Sequence, residues 1–211
     1  MDFSNIHEIE LSNKKEIFLL SYKDFDVNNY LSILNKKDFL KWENISHPSR
    51  QREFIATRLL KNQVLSDSAI LYDEVGAPYT EDGGFISISH SNNMIGLASA
   101  PFKLGMDLEP VSGKAKKLYK KFLNEEEISL FDTESEREMT KAWSAKETLY
   151  KLAGRKKIIF KEELLLTKIT SNSFKGTVVQ PDGYLHCEIQ ILESEYNILT
   201  INHGQCEFEN K

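Results

Sequence analysis

Residues 85–109 read FISISHSNNMIGLASAPFKLGMDLE. Within them, residues 85–89, 94–99 and 104–109 carry the short apolar runs of strands, with clear alternation in the first and last, the period of a sheet with one buried face. Turn chemistry precedes the first of them, at Gly76 to Pro78 and at Asp82 to Gly84. Between the second and third lies the best candidate for a boundary, Ala100 to Gly105, which divides the chain into residues 1–102 and 103–211.

Upstream, residues 17–21 read as a strand and 28–42 as a helix. A second helix begins near His47-Pro48, where proline suits the first turn, and carries Phe54, Ile55, Leu59 and Leu60 on one stripe. Downstream, a short helix is expected after Asn124, whose side chain can cap while Glu125, Glu126 and Glu127 occupy the electropositive first turn. A longer helix over 138–153 ends at Gly154, a C-terminal cap residue. Residues 174–180 and 184–191 flank Pro181-Asp182-Gly183 and form a predicted hairpin, with 198–201 as a further strand. Both halves mix helices with mainly antiparallel strands, so the fold class is α+β.

The 211 residues carry a formal net charge of -5, which gives no global attraction to nucleic acid or anionic lipid. No apolar run approaches the roughly 20 residues a bilayer requires, and a cytoplasmic location follows as the expectation. Cys187 and Cys206 lie near His186 and His203 without the spacing of a metal site. In a reducing compartment they are expected as two thiols.

The chemistry-bearing residues come in small groups. Asp107 and Glu109 alternate with Leu104, Met106 and Leu108, so both carboxylates leave one face of a strand, roughly 6 to 7 Å apart. Two hard oxygen donors on a rigid element suit Mg²⁺, though a solvated strand face would read the same. Gly105 removes a side chain beside them and leaves room for a ligand. On the 138–153 helix, Ala142, Ala145, Leu149 and Leu152 make the core stripe, while Glu147 and Lys151 lie four apart on the other side, bordered by Trp143 and Tyr150. That pair is also what an ordinary intrahelical ion pair looks like. Ser87, Ser89 and His90 end a strand as a possible phosphate cradle, and Arg50, Arg52 and Arg58 lie on the proline-started helix.

Taken together, G-M-D-L-E-P at Gly105 to Pro110, W-S-A-K-E-T-L-Y-K at Trp143 to Lys151 and S-I-S-H at Ser87 to His90 resemble the motifs of the 4'-phosphopantetheinyl transferase superfamily. The length resembles its larger group, typified by the enzymes that activate surfactin synthetase. That resemblance implies two similar lobes related by a pseudo-two-fold axis, with the active site in the cleft between them and a monomeric enzyme. It implies transfer of the 4'-phosphopantetheine of coenzyme A to a serine of an apo acyl or peptidyl carrier protein, with release of 3',5'-ADP. Asp107, Glu109 and Glu147 would hold Mg²⁺, Glu147 would take the serine proton, and Lys151 would neutralise the leaving group. Arg52, Arg58, Ser89, His90 and Lys151 would bind coenzyme A. Where the family often has Gly-Lys-Pro this chain has Gly76-Ala77-Pro78, so a lysine contact near the adenosine is missing.

Carrier proteins of this system are acidic around the modified serine, and residues 111–122 carry Lys114, Lys116, Lys117, Lys120 and Lys121 with no acid. Lys116, Lys117, Lys120 and Phe122 are the expected docking residues, although a solvated lysine-rich segment is the equally weighted alternative. Two other functions stay open at this level. One is a Mg²⁺-dependent phosphodiesterase acting on nucleotide pyrophosphates. The other is a nucleic-acid or anion-binding module using the lysines with Tyr119 and Phe122, against which the acidic net charge argues.

Overall fold

The computed structural model describes residues 6–11, 15–23, 26–65, 70–154 and 156–211. Two antiparallel sheets come from consecutive parts of the chain. The first contains β1 (Ile6–Leu11), β2 (Lys15–Ser21), β3 (Ile70–Tyr72), β4 (Pro78–Thr80), β5 (Phe85–Ser91) and β6 (Met94–Ala100), in the order β1-β2-β6-β5-β4-β3. The second contains β7 (Met106–Pro110), β8 (Leu164–Thr170), β9 (Ser173–Val179), β10 (Gly183–Glu193) and β11 (Asn197–Asn202), in the order β7-β11-β10-β9-β8, and β12 (Glu207–Asn210) pairs with β10. The helices are α1 (Lys36–Glu43), α2 (Pro48–Val64), α3 (Gly113–Phe122), α4 (Glu125–Leu130), α5 (Glu136–Ala153) and α6 (Phe160–Glu163). The fold is α+β, as expected, and no helix among the described residues is long and apolar enough to cross a membrane.

Three apolar clusters explain the layering. Ala56, Leu59 and Leu60 of α2 pack on Leu20, Ile95 and Leu97 of the first sheet. The other face of that sheet, through Ile17 and Ala98, meets Met106, Leu108, Leu199 and Ile201 of the second. The far face of the second sheet buries Ala142, Ala145, Leu149 and Leu152, the stripe expected on α5. Each leucine so buried contributes about 1.5–3 kcal/mol, which makes this stripe the main anchor of α5.

The helix expected over 28–42 is two pieces: a 3-10 segment, Val27–Ile33, and then α1. Asn35 breaks it, because its side chain accepts from the Asp38 amide and starts a new helix there. The short helix after Asn124 has a full capping box: Asn124 Oδ1 accepts from the Glu127 amide, and Glu127 Oε2 from the Asn124 amide.

Cys187 and Cys206 correct the expectation of two thiols, since they are joined as a disulfide. His186 of β10 lies opposite Glu207 of β12, so the chain folds Cys206 back beside Cys187 with the two Cα atoms 4.7 Å apart. The sequence separation of 19 residues gave no sign of this fold-back.

Candidate active site

Strand β7 forms one edge of the second sheet, so its outward amide groups need partners from elsewhere. The serines of β5 supply them. Ser87 Oγ accepts from the Met106 amide at 2.9 Å, and Ser89 Oγ accepts from the Leu108 amide at 3.1 Å. The two hydroxyls share a face, as the alternation requires, but that face is the seam between the sheets. Ser89 Oγ also donates to Asp107 Oδ1 at 3.0 Å and is therefore committed to β7, where the sequence reading had it cradling a phosphate.

Asp107 is the best-held carboxylate of the site. It is 5 % exposed, and besides Ser89 it accepts from Lys151 Nζ at 3.1 Å and from Ser144 Oγ at 2.9 Å. Glu109, two residues along the same face, accepts from Trp143 Nε1 at 2.9 Å. Glu147 is half-buried on α5. Burial first, then the Asp107 carboxylate and more weakly that of Glu109, push its pKa up to about 7, with Lys151 and Lys114 opposing. Glu109 is likewise raised, by burial and by Asp107.

These shifts mean that β7 and α5 bring three carboxylates close enough to repel one another. Among the described residues, no three acidic, histidine or cysteine side chains already converge on a single point. Lys151 takes the place of a shared counter-charge on Asp107. The donor set, hard oxygens short of positive charge, nevertheless suits a divalent cation that completes its shell with water and phosphate.

The closeness of β7 to α5 rests on Gly105. A Cβ there would stand 2.5 Å from the Thr148 carbonyl oxygen and 2.9 Å from Leu152 Cγ. The space that the sequence reading reserved for a ligand is filled by the helix backbone. Gly105→Ala is expected to destabilise the protein by about 1–3 kcal/mol, since backbone cannot yield as a side chain can. It should also weaken activity by moving Glu147 away from β7. Chemical denaturation alongside an activity assay measures both.

A cavity of about 410 Å³ meets this cluster at Lys151. Pro78, Ile86 and Ile88 of the first sheet line it together with Leu104, Tyr150 and Lys151 of the second half, and Lys103 and Lys156 add positive charge. Ala77 lies in the same wall. A neighbouring pocket shares Gly76, Pro78 and Ile88 and extends the first toward Arg50, Thr57, Arg58 and His90. His90 Nε2 is 3.2 Å from Thr57 Oγ1, and its pKa is lowered by burial and by Lys151 and Arg50, against the pull of Glu53.

The arginines divide differently from the expectation. Arg50 lines the His90 pocket, whereas Arg52 does not and has its Nε buried without a hydrogen-bond partner among the described residues. Arg58 reaches the pocket wall but is clamped by both oxygens of Asp38, at 2.9 and 3.1 Å. On α3, Lys117 and Lys120 are exposed and Lys116 pairs with Glu134 at 2.8 Å. Phe122, expected on the docking surface, is 2 % exposed and packs edge-on against Trp143. It is core because it closes the apolar side of α3, whose lysines take the outer side.

Some residues carry more than their types suggested. Lys146, beside Glu147, is wholly buried and donates to Glu127 Oε2 at 2.7 Å. Ser144, Thr148 and Thr200 form a buried hydroxyl cluster beneath Asp107. Nothing in the sequence marked Thr200, because threonine is an ordinary strand residue.

Residues 103–198, which hold β7, α5 and most of the second sheet, match the family model of the 4'-phosphopantetheinyl transferase superfamily. The match spans 96 of the 211 residues and supports membership of that superfamily, and with it a transferase. Residues 1–102, with the whole first sheet, lie outside the match. No curated protein matches the chain.

Proposed function

We propose that this chain transfers the 4'-phosphopantetheine group of coenzyme A to a serine of an apo acyl or peptidyl carrier protein, as a member of the larger, two-lobed group of the superfamily. We divide its lobes between residues 102 and 103 and expect a monomer. One observation carries the reading: Asp107, Glu109 and Glu147 lie within electrostatic reach of one another and of Lys151, and Lys151 lines a cavity of about 410 Å³.

In this reading coenzyme A lies along the cavity and its extension, with its phosphates near Lys151, His90 and Arg50. Ser89 contributes by holding Asp107, Arg58 by shaping the pocket wall, and Lys103 and Lys156 offer charge near Ala77. Glu147 takes the proton of the carrier serine. The serine oxygen bonds to the phosphorus that bears pantetheine, the pyrophosphate P–O bond breaks, and 3',5'-ADP leaves with Lys151 beside its new charge. Asp107, Glu109 and Glu147 would hold Mg²⁺, which supplies Lewis-acid stabilisation of phosphoryl charge when bound.

Incubating the protein with apo-carrier, coenzyme A and Mg²⁺ should raise the carrier mass by one phosphopantetheine. Release of 3',5'-ADP without any carrier would make the chain a phosphodiesterase instead. For the carrier we assign the outer side of α3, where Lys117 and Lys120 are exposed directly after the β7 carboxylates. Lys117→Glu with Lys120→Glu is expected to raise the KM for an acidic carrier at low salt and leave that for coenzyme A nearly unchanged. An unchanged carrier KM would remove the docking assignment.

A further inference from the structure

Two oxygens of Asp107 face two different environments. Oδ1 accepts from Lys151 and Ser89, on the side of the cavity that Lys151 lines. Oδ2 accepts from Ser144 Oγ at 2.9 Å, in the buried space between α5 and the second sheet. Ser144 Oγ in turn lies 2.9 Å from Thr200 Oγ1, which lies 2.8 Å from Thr148 Oγ1. All three hydroxyl residues are 0 % exposed.

Proton counting gives this chain a direction. A carboxylate only accepts, so Ser144 must spend its single proton on Asp107. At the next contact Thr200 must therefore donate to Ser144, and at the one after that Thr148 must donate to Thr200. The carbonyl oxygen of Thr200, 3.1 Å from Thr148 Oγ1, takes a share of that last proton. Every hydroxyl dipole thus points at Oδ2, and such aligned chains strengthen one another in a low-dielectric interior. Thr200 can do this because it lies directly opposite Asp107 in the β7–β11 register and shares its face.

Packing alone does not call for this arrangement. Alanine at 144 and valine at 200 would fill nearly the same space with no hydrogen bonds to satisfy. We propose that Ser144, set by Thr200 and Thr148, is a positioning residue that pins Oδ2 inward, leaves Oδ1 as the oxygen on the cavity side, and thereby sets the affinity of the carboxylate cluster for a divalent cation. This rests on the transferase reading of the same site.

The test uses Mn²⁺ as the probe, titrated onto the intact protein with coenzyme A present and with free Mn²⁺ read by electron paramagnetic resonance. Carrier modification at varied Mg²⁺ and thermal unfolding are measured on the same samples. Ser144→Ala is expected to weaken Mn²⁺ binding about 10-fold, the lower end for loss of a group that orients a metal ligand. Thr200→Val, one hydrogen bond further out, should weaken it about 3-fold while keeping the melting temperature near that of the wild type. Thr200→Ser restores the donor and should recover Mn²⁺ affinity despite a lower melting temperature. A purely structural role predicts the reverse order, with valine normal and serine impaired, and that result overturns the proposal. If the wild type modifies carriers but Ser144→Ala and Thr200→Val bind Mn²⁺ as it does, this inference alone fails. If the wild type neither takes up Mn²⁺ nor modifies a carrier, the transferase reading falls and this goes with it.

Discussion

Glu147→Gln is expected to lower kcat for carrier modification by about 10²- to 10⁴-fold, the usual contribution of a positioned general base. The amide keeps the shape and cannot take the serine proton, so the KM for coenzyme A should change much less than kcat. The metal-free variant should at the same time be more stable than the wild type. Glu147 ionises in the folded protein only at about 7, against an ordinary 4.5, because burial and the neighbouring Asp107 and Glu109 oppose its charge. Between those pH values the folded state binds more protons than the unfolded one, so wild-type stability falls as pH rises through that window. Removing the charge removes the penalty, and the gain from Gln should be largest above pH 7. Asp107→Ala should abolish turnover at least as fully, since it deprives Ser89, Ser144 and Lys151 of their common acceptor. Full carrier modification by either variant would contradict its role. A Glu147→Gln protein that is both inactive and less stable would point to a structural carboxylate.

The parts of this site that periodicity governs were legible in the sequence. Alternation put Asp107 and Glu109 on one face of β7, and helical spacing separated Glu147 and Lys151 from the stripe of Ala142, Ala145, Leu149 and Leu152. Both follow from backbone geometry that any strand or helix shares. What the sequence could not supply was the identity of the neighbour across a gap. Gly105 signals that something comes close, and a ligand and a helix carbonyl leave the same mark. Ser87 and Ser89 point the same way, as expected, but only the meeting of two sheets shows that they serve the open edge of β7. The residues 28–42 look helical because their apolar positions suit a helix, and the local cap at Asn35 overrides that pattern. The sulfurs of Cys187 and Cys206 meet through a strand pairing, β10 with β12, that leaves no trace in spacing.

Lys146→Met should lose about 3–5 kcal/mol of stability while each folded molecule keeps most of its activity. Lys146 adjoins Glu147 in sequence and so invites a catalytic role. Helical geometry turns it about 100° away, into a space where it donates to Glu127 Oε2 at 2.7 Å and to the Phe160 carbonyl at 3.2 Å. Glu127 is itself only 2 % exposed, and its other oxygen accepts from the Leu166 amide. One ion pair thus ties α4, α5 and β8 together, and methionine would leave a buried carboxylate without its counter-charge. Burial outweighs the attraction of Glu127 and lowers Lys146 to about 8. The unfolded chain, with its lysine near 10.5, then holds more protons between those values, so this residue makes stability rise with pH across that range. Lys15, buried between the sheets and also lowered to about 8, adds to the same slope. Urea unfolding at pH 7 and pH 9.5 should show that rise in the wild type and a smaller one in Lys146→Met. Lys151→Ala should give the opposite pattern, with turnover lost and the fold kept. A Lys146→Met protein as stable as the wild type but inactive would move this lysine from the scaffold into the chemistry.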